Sequence, residues 1–353
     1  MARLSRAQMQ ERNRAKVLAA ARAEFAERGF RDAKIDVIAE RAELTRGAVY
    51  SNFPGKRALY LSVLAEDAER AEPLPDLEPG RTVPAALAAF AGAWLAGLPL
   101  AVDDPRGRAP LGADLLPEVL ADDRIRRPFA QLLKLQAVLL GLALERLRPA
   151  PGRLVRVAEA ALTTLHGAGV LSAAAPGFVE PFDVVAGCRR LAELDLTDRW
   201  DPPYAAYAPR ARPADDEWTP PPAMDALRAA STSLTEDGVV AVLGLHRLSA
   251  VEDAVRGLPP DAAVTAVLVS GEPAELLPLA RLVVADLRRC LRTAVPGGAW
   301  PRLRLVLDGA GTLAAAVGAP AVGDATEVAV RVRGARIVAR ADGFGACLSA
   351  AAG

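Results

Sequence analysis

Residues 29–60 constrain the fold of this chain more than any other stretch of its sequence. A short helical pattern begins at Ile35, a turn follows at Glu43, and a second helical pattern runs over residues 46–52. Thr45 precedes the second pattern, where its hydroxyl can accept a backbone N–H and cap the helix. Two short helices joined by a tight turn predict a helix-turn-helix, whose second helix is shaped to enter a DNA major groove.

The flanking sequence favours the same interpretation. A longer helix is predicted over residues 6–28, where apolar residues recur at helical spacing and Gly29 supplies a natural stop. A further helix begins at Lys56 and continues to about residue 71. Residues 1–60 hold 13 Lys and Arg residues against 7 Asp and Glu, whereas the whole chain is neutral. A basic end on a neutral chain indicates a polyanionic partner, although a solvated helical surface has a similar composition.

The same stretch combines aromatic, small and basic residues at fixed spacing. These residues are Phe25, Gly29, Phe30, Ile38, Ala39, Ala42, Leu44, Thr45, Arg46, Gly47, Ala48, Val49, Tyr50, Phe53, Lys56 and Leu59. With them, residues 10–70 closely resemble the TetR (tetracycline-repressor-like) family of bacterial transcription regulators. The resemblance implies a homodimer in which an N-terminal three-helix head stands on an all-helical body for ligand binding and dimerisation.

The chemistry of the second short helix suits DNA. Arg46 can reach a guanine edge or a phosphate, and the small Gly47 and Ala48 allow a close approach to bases. Tyr50 and Lys56 suit phosphate oxygens. The predicted DNA-binding set is Lys34, Thr45, Arg46, Gly47, Ala48, Tyr50, Ser51, Asn52 and Lys56. Further contacts with the DNA backbone or minor groove are expected from Arg3, Arg6, Arg12 and Arg14.

Each of these residues alone could also have a purely structural role: Arg46 could be a surface charge, and Phe53 or Tyr50 could belong to the core. Only the combination of residues predicts DNA binding. One position departs from the family. Lys34 stands where the family usually has Thr or Ser, so a phosphate-binding cation is kept but a helix cap is lost, at a cost of about 1 kcal/mol. Asp32 or Asp36 can compensate through the helix dipole.

The rest of the chain divides by composition and periodicity. We predict a multidomain fold with an all-α head (residues 1–71), a helical body (72–197), a proline-rich aromatic linker (198–223) and a C-terminal α/β domain (224–353). Helical patterns in the body cover residues 83–98, 115–124, 127–148, 154–172 and 179–195. The linker carries two Trp and two Tyr residues, so we expect an extended strap lying against a domain.

The body is predicted to hold an apolar effector in a pocket between its helices. Candidate lining residues are Phe90, Trp94, Phe129, Gln136 and His166, all of which also fit ordinary core packing. If the resemblance holds, the last two helices form a four-helix seam in the dimer. Its expected apolar contacts are Val155, Ala158, Leu162, Leu165, Phe182, Val185 and Leu191.

Beyond residue 224 the pattern changes to short strands and helices. Strands are predicted at 239–245, 264–269, 303–307, 328–332 and 337–339, the last two as a hairpin. The order resembles the second half of a thioredoxin-like or peroxiredoxin-like domain over residues 234–351. The first strand-to-helix junction, near His246, lacks the cysteine that redox chemistry needs there, so we expect a degenerate module for sensing, dimer support or protein contact.

The cysteines and the longest uncharged stretch indicate the cellular compartment and the class of protein. Cys188, Cys290 and Cys347 lie far apart, which suits a reducing cytoplasm and predicts no disulfide or zinc framework. Residues 82–102 are uncharged and long enough to span a bilayer, but a buried helix is the better interpretation. We expect no cofactor and no enzymatic activity. The prediction is a ligand-responsive repressor that binds a palindromic operator; the rival is a redox-active or redox-sensing thioredoxin-like protein with secondary DNA binding.

Overall fold

The computed structural model describes residues 5–72, 78–98, 111–149 and 152–352. Arg3, one of the arginines expected near the DNA backbone, lies outside the described residues.

The head consists of four helices. They are α1 (Arg6–Asp32), α2 (Ile35–Arg41), α3 (Arg46–Asn52) and α4 (Lys56–Arg70). Their apolar faces meet in one cluster that includes Phe25, Ile38, Val49 and Phe53. Phe53 is therefore a core residue, and its burial fixes the end of α3 against the rest of the head.

Gly29 interrupts α1 where the sequence predicted its end. Its φ of +71° lies in the left-handed region, which favours glycine, and one further turn of helix follows to Asp32. A Cβ atom at Gly29 would lie 3.3 Å from a carboxylate oxygen of Asp114. The same oxygen accepts the backbone N–H of Phe30 at 2.8 Å. The kink thus brings the end of α1 within reach of the body.

The body contains the five predicted helices, with bounds that differ by up to four residues from the prediction. They are α5 (Val83–Ala96), α6 (Leu115–Ala121), α7 (Asp123–Glu145), α8 (Val155–Ala174) and α9 (Pro181–Leu191). Among the described residues, α7 is the helix long and apolar enough to cross a membrane, and 61% of its apolar window is buried inside the protein. The helix within residues 82–102, α5, is also buried along most of its length.

The apolar stripe of α8 faces the interior of its own chain. Val155, Ala158, Leu162 and Leu165 are at most 5% exposed, so the prediction that they form an intersubunit seam is wrong. The close crossing of α7 and α8 explains this: a Cβ atom at Gly141 would lie 2.8 Å from the Cα of Val155. Periodicity identified the buried face but not the surface that covers it.

The C-terminal half is built on a six-stranded mixed sheet. Its strands, in spatial order, are β1 (Arg212–Glu217), β8 (Arg336–Asp342), β7 (Glu327–Arg333), β4 (Gly238–Gly244), β5 (Ala263–Val269) and β6 (Leu303–Leu307). The strands β4, β5 and β6 are parallel, and β7, β8 and β1 are antiparallel to their neighbours. The hairpin predicted near residues 333–335 is present as β7 and β8. A separate pair, β2 (Ala223–Asp225) and β3 (Ala230–Thr232), was not predicted.

Four helices accompany the sheet: α10 (Val251–Arg256), α11 (Pro273–Ala294), α12 (Thr312–Val317) and α13 (Ala346–Ala352). The longest, α11, packs against α4, α5 and α7 as well as the core of its own domain. One apolar cluster therefore runs through the body and the α/β domain. The two regions share a core rather than meeting only through a linker.

The proline-rich strap (residues 198–223) is fixed against the α/β domain by its aromatic residues. The Tyr204 hydroxyl and the Trp200 indole N–H donate to the two carboxylate oxygens of Asp253, at 2.7 and 3.3 Å. The buried Trp218 donates to the carbonyl of Leu234 at 2.7 Å. Within the strap, β1 is the outer strand of the sheet, so this segment is extended and bound.

Candidate nucleic-acid interface

One face of α3 is presented to solvent. Arg46, Gly47, Tyr50 and Ser51 are exposed, whereas Val49 is buried in the head. This division follows from the helical period, because residues three and four positions apart share a face. The exposed polar face of α3 can therefore enter a DNA groove while the buried Val49 keeps the helix packed against the head.

The beginning of α3 is capped as the sequence predicted. The Thr45 hydroxyl oxygen accepts the backbone N–H of Ala48 at 3.2 Å. Glu43, in the turn before it, adopts φ of +56°, a conformation that is costly for a residue with a Cβ atom. Its carboxylate pairs with Lys16 of α1 at 2.9 Å. The turn is thus anchored to the first helix.

Arg46 is held in an open position at the front of α3. Its guanidinium lies 3.4 Å from the Asp36 carboxylate and 5.6 Å from the ring centroid of Tyr50. Interaction with the Tyr50 hydroxyl and then the charge of Asp36 raise the pKa of Arg46. Both partners are exposed, and a DNA phosphate or base edge can replace Asp36 at little cost.

The other predicted contacts on α3 are already satisfied within the helix. Ser51 and Asn52 both donate to the carbonyl of Ala48, at 2.9 and 2.8 Å. At the neighbouring helix, Lys34 occupies the N-cap of α2 without a side-chain cap bond, as its chemistry predicted. Instead, its backbone N–H donates to the buried Glu24 at 3.4 Å, and Asp36 lies in the first turn.

Lys56 has a structural task that the sequence did not reveal. Its ammonium donates to the carbonyls of Arg31 and Ala33, at 3.0 and 3.2 Å, and lies 4.6 Å from the Phe30 ring centroid. These bonds satisfy carbonyls at the end of α1, as basic side chains do at helix C-termini. An ammonium has three N–H donors, so one is left for a phosphate.

The arginines of α1 differ in their surroundings. Arg6 and Arg12 are exposed. Arg14 is half-buried: its guanidinium carbon lies 4.5 Å from the ring centroid of Phe53, and one N–H donates to the carbonyl of Asn52 at 3.5 Å. Burial lowers the pKa of Arg14 from its ordinary value. Arg14 therefore secures the end of α3, a role distinct from the minor-groove contact expected for it.

Three of the five predicted effector residues come together in the body. The His166 ring lies 5.4 Å from the Trp94 ring and 6.3 Å from the Phe129 ring. Burial lowers the pKa of His166, and its Nε2 atom is buried without a hydrogen-bond partner among the described residues. Phe90 lies in the core, 1% exposed. Gln136 donates to the carbonyl of Val283 at 3.2 Å, so its side chain takes part in the contact between α7 and α11.

The three thiols are poorly placed for redox chemistry. All are buried and free of disulfides. Burial raises the pKa of Cys188 to about 11 and of Cys290 to about 12, and raises that of Cys347 as well. Reactive cysteines need a lowered pKa and access to solvent. These environments disfavour the rival interpretation of the C-terminal half as a redox centre.

Contacts between the head and the rest of the chain involve residues that the sequence did not single out. Arg57, in the first turn of α4, pairs with Glu118, Asp122 and Glu275 at 3.2, 2.9 and 3.5 Å. The Tyr60 hydroxyl donates to the carbonyl of Leu111 at 2.6 Å. No local pattern marks these residues, because their partners are distant in the sequence.

Comparisons with known proteins agree with the geometry of the head. Residues 17–63 match the sequence profile of the family described as bacterial regulatory proteins, tetR family. No curated protein matches the chain significantly.

Two solved structures are similar to part of the chain. A TetR transcriptional regulator from Rhodococcus sp. RHA1 is 16% identical, over 54% of this chain and 99% of that one, with a TM-score of 0.34. A structure described as the molecular basis for control of antibiotic production by bacterial hormones is 25% identical, over 51% of this chain and 95% of that one, with a TM-score of 0.30. Both TM-scores are low, so these likenesses do not bear on the fold of the body or the α/β domain. Residues 17–63 therefore resemble the N-terminal DNA-binding domain of the tetR family, in agreement with the exposed face of α3.

Proposed function

We propose that this chain is a ligand-responsive repressor that binds a palindromic operator as a homodimer in the cytoplasm. The observation that carries the proposal is the arrangement of α3, which is capped by Thr45, anchored by the buried Val49 and open along Arg46 and Tyr50. In a dimer, two such helices about 34–36 Å apart fit successive major grooves on one side of the duplex. An effector that favours a different spacing releases the DNA.

The dimer interface is proposed on the outer face of α8 and α9 and the loop between them. Large apolar residues stand exposed there: Val170 (45%), Leu171 (43%), Phe178 (72%) and Phe182 (83%). Val185 and Leu191, which were expected at the seam, are half-buried and pack against the chain's own core. Large apolar side chains left exposed on neighbouring elements support a surface that a partner covers.

For the effector, the proposal is an apolar molecule bound between α5, α7 and α8. The aromatic rings of Trp94 and Phe129 and the unpartnered Nε2 of His166 support this placement, because an apolar site with one polar group suits a small ligand. At Gly169 the backbone of α8 closely approaches the aromatic group, since a Cβ there would lie 3.1 Å from the Trp94 ring.

The α/β domain is proposed to be a degenerate thioredoxin-like module without redox activity. Its support is the strand order β8-β7-β4-β5, in which a parallel pair adjoins an antiparallel hairpin, and the helix that follows the hairpin. Its junction after β4 carries His246 and Arg247 in place of a cysteine, and Arg247 is paired with the buried Glu327. A thiol assay in which turnover is lost in Cys290→Ser or Cys347→Ser would favour the rival.

DNA binding is tested with two variants and a control on a duplex recovered by selection from random sequences. Arg46→Ala is expected to weaken binding to that duplex more than to unrelated DNA, because Arg46 stands where a base edge is read. Lys56→Ala is expected to weaken binding to all duplexes. Arg126→Ala removes an equally exposed arginine from α7 and should have no effect. Unchanged gel shifts for both head variants would overturn these assignments.

A further inference from the structure

Two clefts outside the head, of about 360 and 390 Å³, offer little to a ligand. The first lies between α7, α8 and the strap, and the second lies beside β2 and β3. In the first, Arg153 pairs with Glu252, and Lys134 with Glu159. In the second, Arg304 pairs with Glu236. The charges in both clefts therefore largely neutralise each other.

We propose that α11 is a regulatory strut through which the α/β domain fixes the position of α4 and thereby of the recognition helix. The proposal rests on the proposed DNA-binding function. It assigns to the C-terminal half the control of the head by direct contact, in addition to any effector bound within the helical body.

The strut spans the full length of α4. Near the start of α4, Arg57 lies 3.5 Å from Glu275 in the first turn of α11. Near its end, both carboxylate oxygens of Glu69 are paired with Arg281, at 2.9 and 2.6 Å. Arg288 adds a bond to the Glu69 carbonyl at 3.3 Å. The order of these contacts shows that the two helices run in the same direction.

The apolar side of the contact completes the core of the head. Leu282 is 6% exposed and belongs to the same apolar cluster as Phe25 and Tyr60. The fully buried residues of that cluster otherwise come from residues 17–65 within the described part of the chain. One leucine of the α/β domain is therefore built into the DNA-binding head.

Other residues of α11 belong to the larger apolar cluster of the body and the α/β domain. Leu276, Leu279 and Leu287 lie in the cluster that includes Val239 of β4 and Leu305 of β6. Because packed interiors transmit strain, a shift of α11 within its own domain is expected to displace α4 as well. Only residues 53–55 separate α4 from α3, so such a displacement reaches the recognition helix.

A double-mutant cycle on Glu69 and Arg281 tests the strut, with operator affinity and the thermal midpoint measured for the full chain. Each single change, Glu69→Gln or Arg281→Gln, is expected to weaken binding to the selected duplex by about 5- to 25-fold. This range corresponds to the loss of one partly exposed ion pair in each of the two heads of a dimer. The double variant should bind no more weakly than either single variant. The charge-reversed pair, Glu69→Arg with Arg281→Glu, should regain most of the affinity.

The control is Arg336→Gln, which breaks a more exposed ion pair with Asp215 at the outer edge of the sheet and should leave affinity unchanged. Equal or tighter binding in the single variants, or additive losses in the double variant, would overturn the strut. A parent chain that selects no duplex at all would instead overturn the proposed function, so the two failures are distinguishable.

Discussion

Replacing Leu282 with alanine should loosen the DNA-binding head even though the residue lies about 210 positions away from it along the chain. Leu282 is 6% exposed and sits in the apolar cluster of the head. A leucine truncated to alanine in a closed core costs about 2–5 kcal/mol, through lost burial and the cavity left behind. We expect the lower half of this range, about 2–3 kcal/mol, because the site lies at the edge of the cluster.

Hydrogen exchange of backbone amides in α1 and α4 measures this loss where it occurs. A local loss of 2 kcal/mol should speed exchange of the protected head amides by about 30-fold. Leu277→Ala is the control on the same helix, since Leu277 is 7% exposed but belongs to the larger cluster of the body and the α/β domain. It should lower the overall free energy of unfolding without selectively exposing the head. Equal exchange in the head amides of the two variants would refute the reasoning.

Three further predictions concern the head and its junction with the body. Thr45→Ala should lower the free energy of unfolding of the head by about 1 kcal/mol in denaturant titrations, whereas Thr45→Ser should retain the cap; equal losses would refute the capping role. In a Lys16→Gln background, which has already lost the ion pair, Glu43→Gly should raise that free energy by about 0.5 kcal/mol, because relief of the left-handed conformation outweighs the added freedom of the unfolded chain; a lower midpoint would contradict this. Hydrogen bonds from Arg124 and then from Arg57 lower the pKa of Asp122 from 3.8 to about 2. The contribution of Asp122 to the free energy of unfolding is therefore full above about pH 4 and is lost as the pH falls towards 2. Asp122→Asn should reduce the loss of stability in this acid range, and an unchanged loss would contradict the prediction.

The local features of the head could be predicted because their causes are local. The cap at Thr45 and the interruption of α1 at Gly29 each depend on residues within a few positions. The same holds for the parallel and hairpin strands, whose apolar runs are bounded by turn residues. The charged segment of β1 (Arg212–Glu217) was missed, since an exposed edge strand shows no apolar alternation.

Long-range packing could not be predicted, because a periodic pattern shows that a face is buried without naming its partner. The stripe of α8 that contains Leu162 and Leu165 was assigned to a second subunit, yet it packs within its own chain. The role of α11 was missed for the same reason. For Lys56, the sequence predicted a contact with phosphate but missed a contact within the chain. No neighbouring residue indicated that its ammonium binds the carbonyls at the end of α1.

The central claim, that α3 reads DNA as a pair of recognition helices in a dimer, is tested most directly by selecting binding sites for the full chain from random duplexes at several salt concentrations. The account predicts enriched sequences with two-fold symmetry and half-sites about 10 base pairs apart, bound with an affinity that falls steeply as salt rises. Enrichment of no sequence, or of single half-sites without symmetry, would contradict it.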